Sequence, residues 1–266
     1  MSVKADRKDP LMKNILEVRD LNKTYTIGKD NKHQVLKDIK LNIRKGEFVA
    51  IMGASGSGKS TLLYNVSGMD KMTSGSVLFN DKELATMSEE ELTKLRLNSM
   101  GFIFQQSNLL KNLNIFDNII LSAYQSKSKS RRLINKRAQD LMKSTGISEL
   151  ALNDITQASG GQLQRVSICR SLINNPDIVF GDEPTGALNS KATNEVMDIL
   201  TDINNSGTTI MLVTHDTKVA AKAERILFMT DGRIVSEKAL GKYEKDKGNI
   251  QARETHLSDW LIQQGF

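Results

Sequence analysis

Apolar runs of about five residues recur along the chain, and each ends at a polar or glycine-rich segment. Residues 48–52, 178–181 and 209–213 form such runs, and their composition predicts buried strands of a parallel sheet. Apolar positions at helical spacing follow elsewhere, as in 166–173. Because strands that alternate with helices are typical of layered folds, the pattern predicts an α/β architecture.

Antiparallel structure is expected beside this sheet. The runs 39–43 and 76–79 predict antiparallel strands next to the parallel ones. Further along, 225–229 and 233–236 flank an Asp-Gly dipeptide, which is a hairpin-turn signal. Residues from about 88 to about 157 carry helical patterning instead, so a helical subdomain is expected there.

A glycine-rich loop follows the first parallel strand. Residues 53–60 read Gly-Ala-Ser-Gly-Ser-Gly-Lys-Ser, a match to the G-x-x-x-x-G-K-[ST] phosphate loop, and the helix 61–66 follows. In such a loop, backbone N–H groups surround the β-phosphate, Lys59 lies between the β- and γ-phosphates, and the Ser60 hydroxyl binds Mg²⁺. The flanking strand and helix argue against a merely flexible Gly/Ser loop.

Polar residues also follow the other two strands. Asp182 ends the second strand and is placed to hold Mg²⁺ through water, while Glu183 can polarise an attacking water. An Asp-Glu pair alone is more often the start of a solvated loop, but the Pro184-Thr185-Gly186 turn behind it favours the catalytic interpretation. His215 follows the third strand, at the sheet edge where the γ-phosphate is expected.

A second glycine-rich element, 158–162, precedes the apolar helix at 166–173. Free N–H groups of Ser159, Gly160 and Gly161 at a helix N-terminus make an anion site. One small domain would therefore have two anion sites.

In this order the motifs resemble those of the ATP-binding cassette (ABC) ATPases, from about residue 15 to about residue 237. The resemblance implies a P-loop NTPase (RecA-like) core with an antiparallel β subdomain and an inserted α-helical subdomain. Tyr25 resembles the aromatic residue that stacks on adenine, Gln105 the Q-loop glutamine, and 186–189 the D-loop. The implied nucleotide-binding residues are Tyr25, Gly53, Ala54, Ser55, Gly56, Ser57, Gly58, Lys59, Ser60, Thr61, Ser159, Gly160, Gly161 and Gln162. The implied catalytic residues are Glu183, His215 and Gln105, and the implied metal ligands are Ser60, Gln105 and Asp182.

The resemblance also implies an organisation and a function. The expected parts are an N-terminal extension (1–13), the first part of the ATP-binding core (14–87), the helical subdomain with the Q-loop (88–157), the signature helix and second part of the core (158–237), and a C-terminal linker and short helix (238–266). Within the family, the phrases 101–110 and 181–191 and the insert 27–33 resemble a bacterial branch of macrolide-exporter, lipoprotein-release and bacitracin-resistance ATPases. The cofactors would be ATP and Mg²⁺.

The expected assembly is a head-to-tail homodimer, in which Ser159 and Gly161 of one copy contact the γ-phosphate that Lys59 of the other copy binds. It would drive an integral-membrane permease on a separate chain, from the cytoplasmic face of the membrane, in export, resistance or release of peptide or hydrophobic cargo. Two alternatives stay open: a soluble ABC ATPase acting on ribosomes or DNA, and an ATP-gated switch of a membrane complex.

Two residues depart from the family pattern. Ala158 stands where the signature usually begins with leucine, so a small cavity or local repacking is expected behind the phosphate contact. Asn189 replaces the aspartate that usually ends the D-loop, which keeps one carbonyl acceptor but removes a charge. Neither change removes a catalytic group, so hydrolysis is expected to survive.

Composition adds three expectations. The 266 residues, 39% of them hydrophobic, suffice for an α/β core with a subdomain, and the single Cys169 is expected to be a small buried hydrophobe. No apolar run approaches the roughly 18 residues that span a bilayer, and there is no signal-peptide pattern, so an intracellular enzyme is expected.

Two surface features allow alternatives. The net charge is +6, and 127–137 contains six basic residues and no acid. This stretch is either a solvated helix face or a surface attracted to anionic lipid headgroups beside a permease, and few aromatics argue against nucleic acid. The end of the chain, 256–266, predicts a short amphipathic helix that packs on the core or contacts a permease or second protomer.

Overall fold

Two β-sheets and eight α-helices make up the described part of the chain, which in this computed structural model comprises residues 13–28, 31–245 and 248–266. The expected N-terminal extension therefore lies outside the described residues except for Lys13. The same holds for two residues of the insert 27–33 and two of the C-terminal linker.

The strands are β1 (Asn14–Ile27), β2 (Asn31–Arg44), β3 (Phe48–Met52), β4 (Ser74–Phe79), β5 (Lys82–Glu83), β6 (Met100–Phe104), β7 (Ile178–Asp182), β8 (Thr209–Val213), β9 (Arg225–Thr230) and β10 (Arg233–Ala239). The helices are α1 (Lys59–Val66), α2 (Glu89–Ser99), α3 (Ile115–Ser126), α4 (Arg131–Ser144), α5 (Gly160–Leu172), α6 (Ser190–Asn205), α7 (Thr217–Ala220) and α8 (Ile250–Gln263). The strands form an antiparallel sheet of order β2-β1-β4-β5 and a larger sheet of order β10-β9-β3-β8-β7-β6.

Strand β3 shows why the apolar runs become central strands. All of its residues are buried, since alternate side chains enter the two hydrophobic clusters on opposite faces of the sheet. Val49 and Ile51 join the cluster that includes helix α1, while Phe48, Ala50 and Met52 join the one that includes α5, α6 and α8. A strand covered on both faces reads as a continuous apolar run, so the predicted parallel strands are confirmed.

The parallel register brings the functional segments to one sheet edge. Strands β3, β8, β7 and β6 run in the same direction, with Ile51 opposite Val213 and Asp182 also opposite Val213. The phosphate loop, the Asp-Glu pair and His215 each follow one of these strands, so they emerge side by side. The antiparallel strands β2 and β4 and the β9–β10 hairpin are confirmed as well.

The range 88–157 is not uniformly helical, which corrects the expectation. Strand β6 lies within it and pairs in parallel with β7 at the edge of the core sheet. Helix α2 also belongs to the core side, because Leu92 packs in the cluster of α1 and β3. The helical subdomain proper is a separate cluster of α3, α4 and α5, in which Cys169 is buried as expected.

The C-terminal helix packs back on the core, as the first of its two interpretations expects. Leu257, Trp260 and Leu261 are buried against the sheet, and Trp260 meets Phe228 edge to face at 6.1 Å between ring centres. In the described ranges, no helix has the length and apolar character needed to cross a bilayer.

Candidate active site

The phosphate loop connects β3 to α1 and contains glycines at positions where any side chain would introduce strain. Gly53 has φ 148°, and a Cβ there would overlap the carbonyl oxygen of Met229. Gly58 caps α1 in the left-handed region, with φ 98°. Glycine conformations of this kind let consecutive backbone N–H groups converge, as phosphate binding at a helix N-terminus requires.

Lys59 is held inside this loop. Its Nζ donates to the carbonyl oxygens of Gly53 and Ala54, each at 2.8 Å, and the side chain is buried. Burial lowers the pKa of Lys59, while the charges of Glu183 and Asp182 act in the opposite direction. The ammonium group is therefore poised over the loop, next to two carboxylates.

A carboxylate with both oxygens engaged lies beside Lys59. Ser60 Oγ donates to Asp182 Oδ1 at 2.8 Å, and the Tyr64 hydroxyl donates to Asp182 Oδ2 at 2.7 Å. Burial and this bond raise the pKa of Tyr64 to about 12. Sequence reasoning missed Tyr64, although its position four residues after Ser60 places it on the same helix face.

The residues present fit a magnesium ion with bound phosphates. A serine hydroxyl and a single carboxylate are ligands that Mg²⁺ takes alongside phosphate oxygens and water. Within the described ranges, no three His, Cys, Asp or Glu side chains converge to hold a metal by themselves. The Ser57 hydroxyl in the loop is buried and has no hydrogen-bond partner among the described residues, so a polar group bound there would satisfy it.

The three candidate catalytic side chains gather around one turn. Glu183 has φ 48°, and its Oε1 lies 2.9 Å from His215 Nδ1. His215 is two-thirds exposed, so it can still reach a ligand. The Gln105 amide lies against Gly186, where an added Cβ would come within 2.9 Å of Gln105 Nε2, and the Gly186 N–H donates to the Glu183 carbonyl.

Tyr25 lies on β1 within a small charged network. Its hydroxyl donates to Asp70 Oδ2 at 2.6 Å, and the Lys23 ammonium donates to Asp70 Oδ1 at 2.7 Å. Lys23 Nζ also lies 4.5 Å from the centre of the tyrosine ring. Tyr25 is 39% exposed, so a base can stack on its ring. Sequence reasoning missed Lys23 and Asp70, because neither belongs to a motif.

The signature segment forms a capped helix start, in which the Ser159 N–H is hydrogen-bonded and not free as expected. Ser159 Oγ accepts from the Gln162 N–H at 3.3 Å, and Gln162 Oε1 accepts from the Ser159 N–H at 2.8 Å. Gln162, an expected nucleotide contact, is thus engaged within its own helix cap. Gly161 must be small for another reason, since a Cβ there would lie 2.9 Å from Cβ of Ala192 on α6.

The signature turn lies against the D-loop and the start of α6. A cavity of about 360 Å³ lies beside this contact, and its lining includes Ser159 and Gly160 of the signature turn and Leu188 and Asn189 of the D-loop. Asn189 caps α6, because its Oδ1 accepts from the Ala192 N–H at 2.9 Å. An aspartate would cap equally well, so the departure at this position leaves the local fold unchanged.

Ala158, the other departure, packs against the helical cluster of α3, α4 and α5. A separate groove of about 370 Å³ lies near the Q-loop, between α2, β6, α3 and α5. Its lining includes Leu97, Phe102, Phe104 and Ser122. The mostly apolar lining and its position directly before Gln105 make this groove a place where a bound partner could reach the site.

The profile of the ABC transporter family matches residues 36–186. Over 225 residues the chain is 45% identical to the macrolide export ATP-binding/permease protein MacB of Mannheimia succiniciproducens, which covers 84% of this chain and 34% of that protein. The chain thus spans about a third of the length of the curated relatives it matches.

Two solved structures of ABC cassettes are also similar to this chain. The ATP-binding cassette MJ0796, in a dimeric post-hydrolysis state bound to ADP and phosphate, is 39% identical with a TM-score of 0.79, over 86% of this chain and 100% of that chain. CbiO1 from Clostridium perfringens, part of the ABC transporter complex cbiONQ, is 31% identical with a TM-score of 0.76, over 85% of this chain and 88% of that chain.

Proposed function

This chain belongs to the ABC transporter family, and we propose that it is the ATPase subunit that drives a membrane permease carried on a separate chain. ATP and Mg²⁺ are its cofactors, and it hydrolyses ATP. We propose further that the complex works in export, resistance or release of peptide or hydrophobic cargo. The similarity to macrolide export proteins supports this class of cargo.

The observation that carries the proposal is the convergence of three groups at one turn beside the phosphate loop. Glu183 lies 2.9 Å from His215, and Gln105 rests on Gly186 of the same turn. In our proposal Glu183 polarises the attacking water, while His215 and Gln105 position the γ-phosphate. Lys59 and the loop N–H groups hold the phosphates. Bound Mg²⁺, held by Ser60 and Asp182 with Gln105, would neutralise phosphate charge.

We propose that two copies assemble head to tail. Ser159 and Gly161 line the cavity beside the D-loop, and the residues that line this cavity do not include the phosphate loop. A second copy would bring its nucleotide to this turn, where the N-terminus of α5 favours a negative charge. The dimeric form of the similar cassette MJ0796 supports this arrangement.

The groove before Gln105 is the proposed permease contact. Its apolar lining suits one face of a short amphipathic helix, and the position lets a movement of Gln105 reach that helix. Closing of the dimer on ATP and opening after hydrolysis would then move the permease.

The decisive experiment compares ATP hydrolysis and self-association of the wild type with those of Glu183→Gln. We expect the variant to lose about 100-fold or more in turnover, because the general base contributes on that order. We also expect it to form a dimer in the presence of ATP, detected by light scattering. Glu149→Gln, an exposed change outside the site, is the control and should behave as wild type.

Either of two results would refute the assigned roles: turnover retained by Glu183→Gln, or no ATP-dependent dimer. The partner is tested by purification of the tagged chain from cells. Recovery with a membrane protein supports the permease proposal, whereas recovery with ribosomes or DNA alone contradicts it.

A further inference from the structure

An exposed basic surface lies at the tip of the helical subdomain. It consists of Lys127, Lys129, Arg131, Arg132 and Lys136, in the loop between α3 and α4 and the first turns of α4. Each of these side chains is exposed, and none forms an ion pair with any residue of the described ranges. The neighbouring Arg137 does not belong to the surface, because it turns inward.

Arg137 shows what a structural arginine looks like here. It is half-buried, and its guanidinium donates to the carbonyl oxygens of Leu172 at 2.8 Å and Ile173 at 2.9 Å. The five cations of the basic surface have no comparable partners. Arg131 stacks over the Tyr124 ring at 5.5 Å, and the other four extend into solvent.

Two of the basic residues lie at the N-terminus of helix α4, where positive charge destabilises a helix. Ser130 caps α4, Arg131 and Arg132 follow at once, and the first turn contains no acid. Since the N-terminus of a helix carries partial positive charge, cations there are repelled. Helix α2 has the opposite arrangement, with Glu89, Glu90 and Glu91 in its first turn. Stability of α4 therefore does not explain the basic surface.

An apolar side chain stands within the basic surface. Leu133 is 57% exposed, although α4 buries Ile134, Ala138 and Met142 on its inner face. Leu133 therefore points away from the helical cluster, between Arg132 and Lys136 along the helix. Basic side chains around an exposed leucine are typical of surfaces that rest on anionic bilayers.

The basic surface adjoins the groove proposed for the permease. Helix α3 contributes Ser122 and Gln125 to the groove lining and then ends at Ser126, whose Oγ donates to Asn98 Oδ1 of α2 at 2.6 Å. Lys127 is the next residue. A permease helix in the groove would therefore have lipid headgroups of its membrane near the basic surface. This step rests on the proposed function.

We propose that the basic surface binds anionic lipid headgroups beside the permease and so holds the subunit against the membrane. A lipid surface fits better than an acidic protein, because the serine-spaced lysines before Ser130 fix no single geometry and Leu133 can enter the headgroup layer. Nucleic acid would leave Leu133 unexplained, and Tyr124 is covered by Arg131 instead of being free to stack on a base.

The test is co-sedimentation of the full chain with vesicles of phosphatidylcholine that contain about 30% phosphatidylglycerol, and with pure phosphatidylcholine as reference. One variant changes Lys127, Lys129, Arg132 and Lys136 to glutamine. The control variant changes the exposed Arg44, Lys45, Lys82 and Lys242 to glutamine. Both lose one arginine and three lysines, so their net charge is the same and only the position differs.

We expect the wild type and the control to bind anionic vesicles at low salt and to be released at about 0.5 M salt. The surface variant should partition at least tenfold more weakly, since each cation contributes about fivefold and salt screens part of it. Leu133→Ser should weaken vesicle binding several-fold without changing binding to a short duplex DNA.

Three outcomes would overturn the proposal. The first is that the wild type does not bind anionic vesicles. The second is that both glutamine variants bind the vesicles equally more weakly. The third is that the surface variant loses binding to duplex DNA while its binding to vesicles is unchanged. ATP hydrolysis in solution separates this inference from the proposed function. If hydrolysis is normal and vesicle binding is absent, only the lipid surface is refuted.

Discussion

Arg253 of helix α8 allows a sharp test of how the C-terminal helix is fixed to the core. Its guanidinium is buried and donates to four backbone carbonyls: Ala221 and Ala223 at 2.7 Å, Leu240 at 2.8 Å and Gly241 at 2.9 Å. Two of these carbonyls follow α7, the helix that begins two residues after His215. The substitution Arg253→Met removes the donors and keeps an unbranched apolar stem.

The magnitude follows from the balance of two effects. Four carbonyls lose a charge-assisted bond, at about 1 kcal/mol or more each when the oxygen stays buried. Part of this loss is offset, because the variant no longer buries a charge whose desolvation already lowers the pKa of Arg253. We therefore expect the free energy of unfolding to fall by about 3 kcal/mol, which corresponds to a melting temperature lower by about 6–10 °C.

Thermal and urea unfolding measure this loss, and amide hydrogen exchange locates it. Exchange should accelerate in α7 and in residues 221–223, while the phosphate loop keeps its protection. Arg233→Met, at an exposed arginine with one 3.3 Å ion pair, is the control and should cost about 0.5 kcal/mol or less. A stability of Arg253→Met equal to that of this control, or a uniform rise in exchange, would contradict the role assigned to Arg253.

Three further predictions concern single side chains. Tyr64→Phe removes one of the two bonds to Asp182, so half-maximal hydrolysis should need about tenfold more Mg²⁺ while metal-free ATP binding is unchanged; an unaltered Mg²⁺ titration would contradict this. Asp70→Asn should raise KM for ATP about threefold or more at constant kcat, because Asp70 holds both the Tyr25 hydroxyl and the Lys23 ammonium over the ring. The effect should be smaller in a Tyr25→Phe background, where the hydroxyl contact is already lost; equal effects in both backgrounds would refute it. Burial raises the pKa of the Cys169 thiol to about 12, so the folded chain should resist a thiol reagent at pH 8 until urea unfolds it. The free energy of unfolding should fall between about pH 9 and 12, because only the thiol of the unfolded chain ionises there. Rapid labelling of the native chain would contradict this.

The strands were predictable where burial on both faces produces a continuous apolar run, as in β3 and β8. Strand β6 was not predicted, because its run, Met-Gly-Phe-Ile-Phe, lies inside a region of helical patterning. Gly101 interrupts it for a tertiary reason, since a Cβ there would lie 2.7 Å from the carbonyl oxygen of Ser171 on α5. A short edge strand that packs tightly on a helix carries little local signal.

The site shows a similar division. Residues 53–60 form one contiguous segment whose backbone makes the site, so their spacing alone predicts where they lie. Asp70 lies 45 residues from Tyr25 and 47 from Lys23 in the sequence, and only the tertiary placement of β1 brings its carboxylate to both side chains. Such contacts depend on tertiary placement, which no local pattern records.

Glu183 shows most clearly what the chain must do to assemble this site. Consecutive residues of an extended strand point to opposite faces, so Asp182 and Glu183 would diverge if β7 simply continued. The left-handed conformation of Glu183, φ 48°, breaks that alternation just after Asp182. Asp182 can then meet Ser60 while Glu183 reaches His215. A non-glycine residue in this conformation costs about 1 kcal/mol or more. The chain retains that strain at the point where the proposed metal ligand and the proposed base must serve one phosphate group.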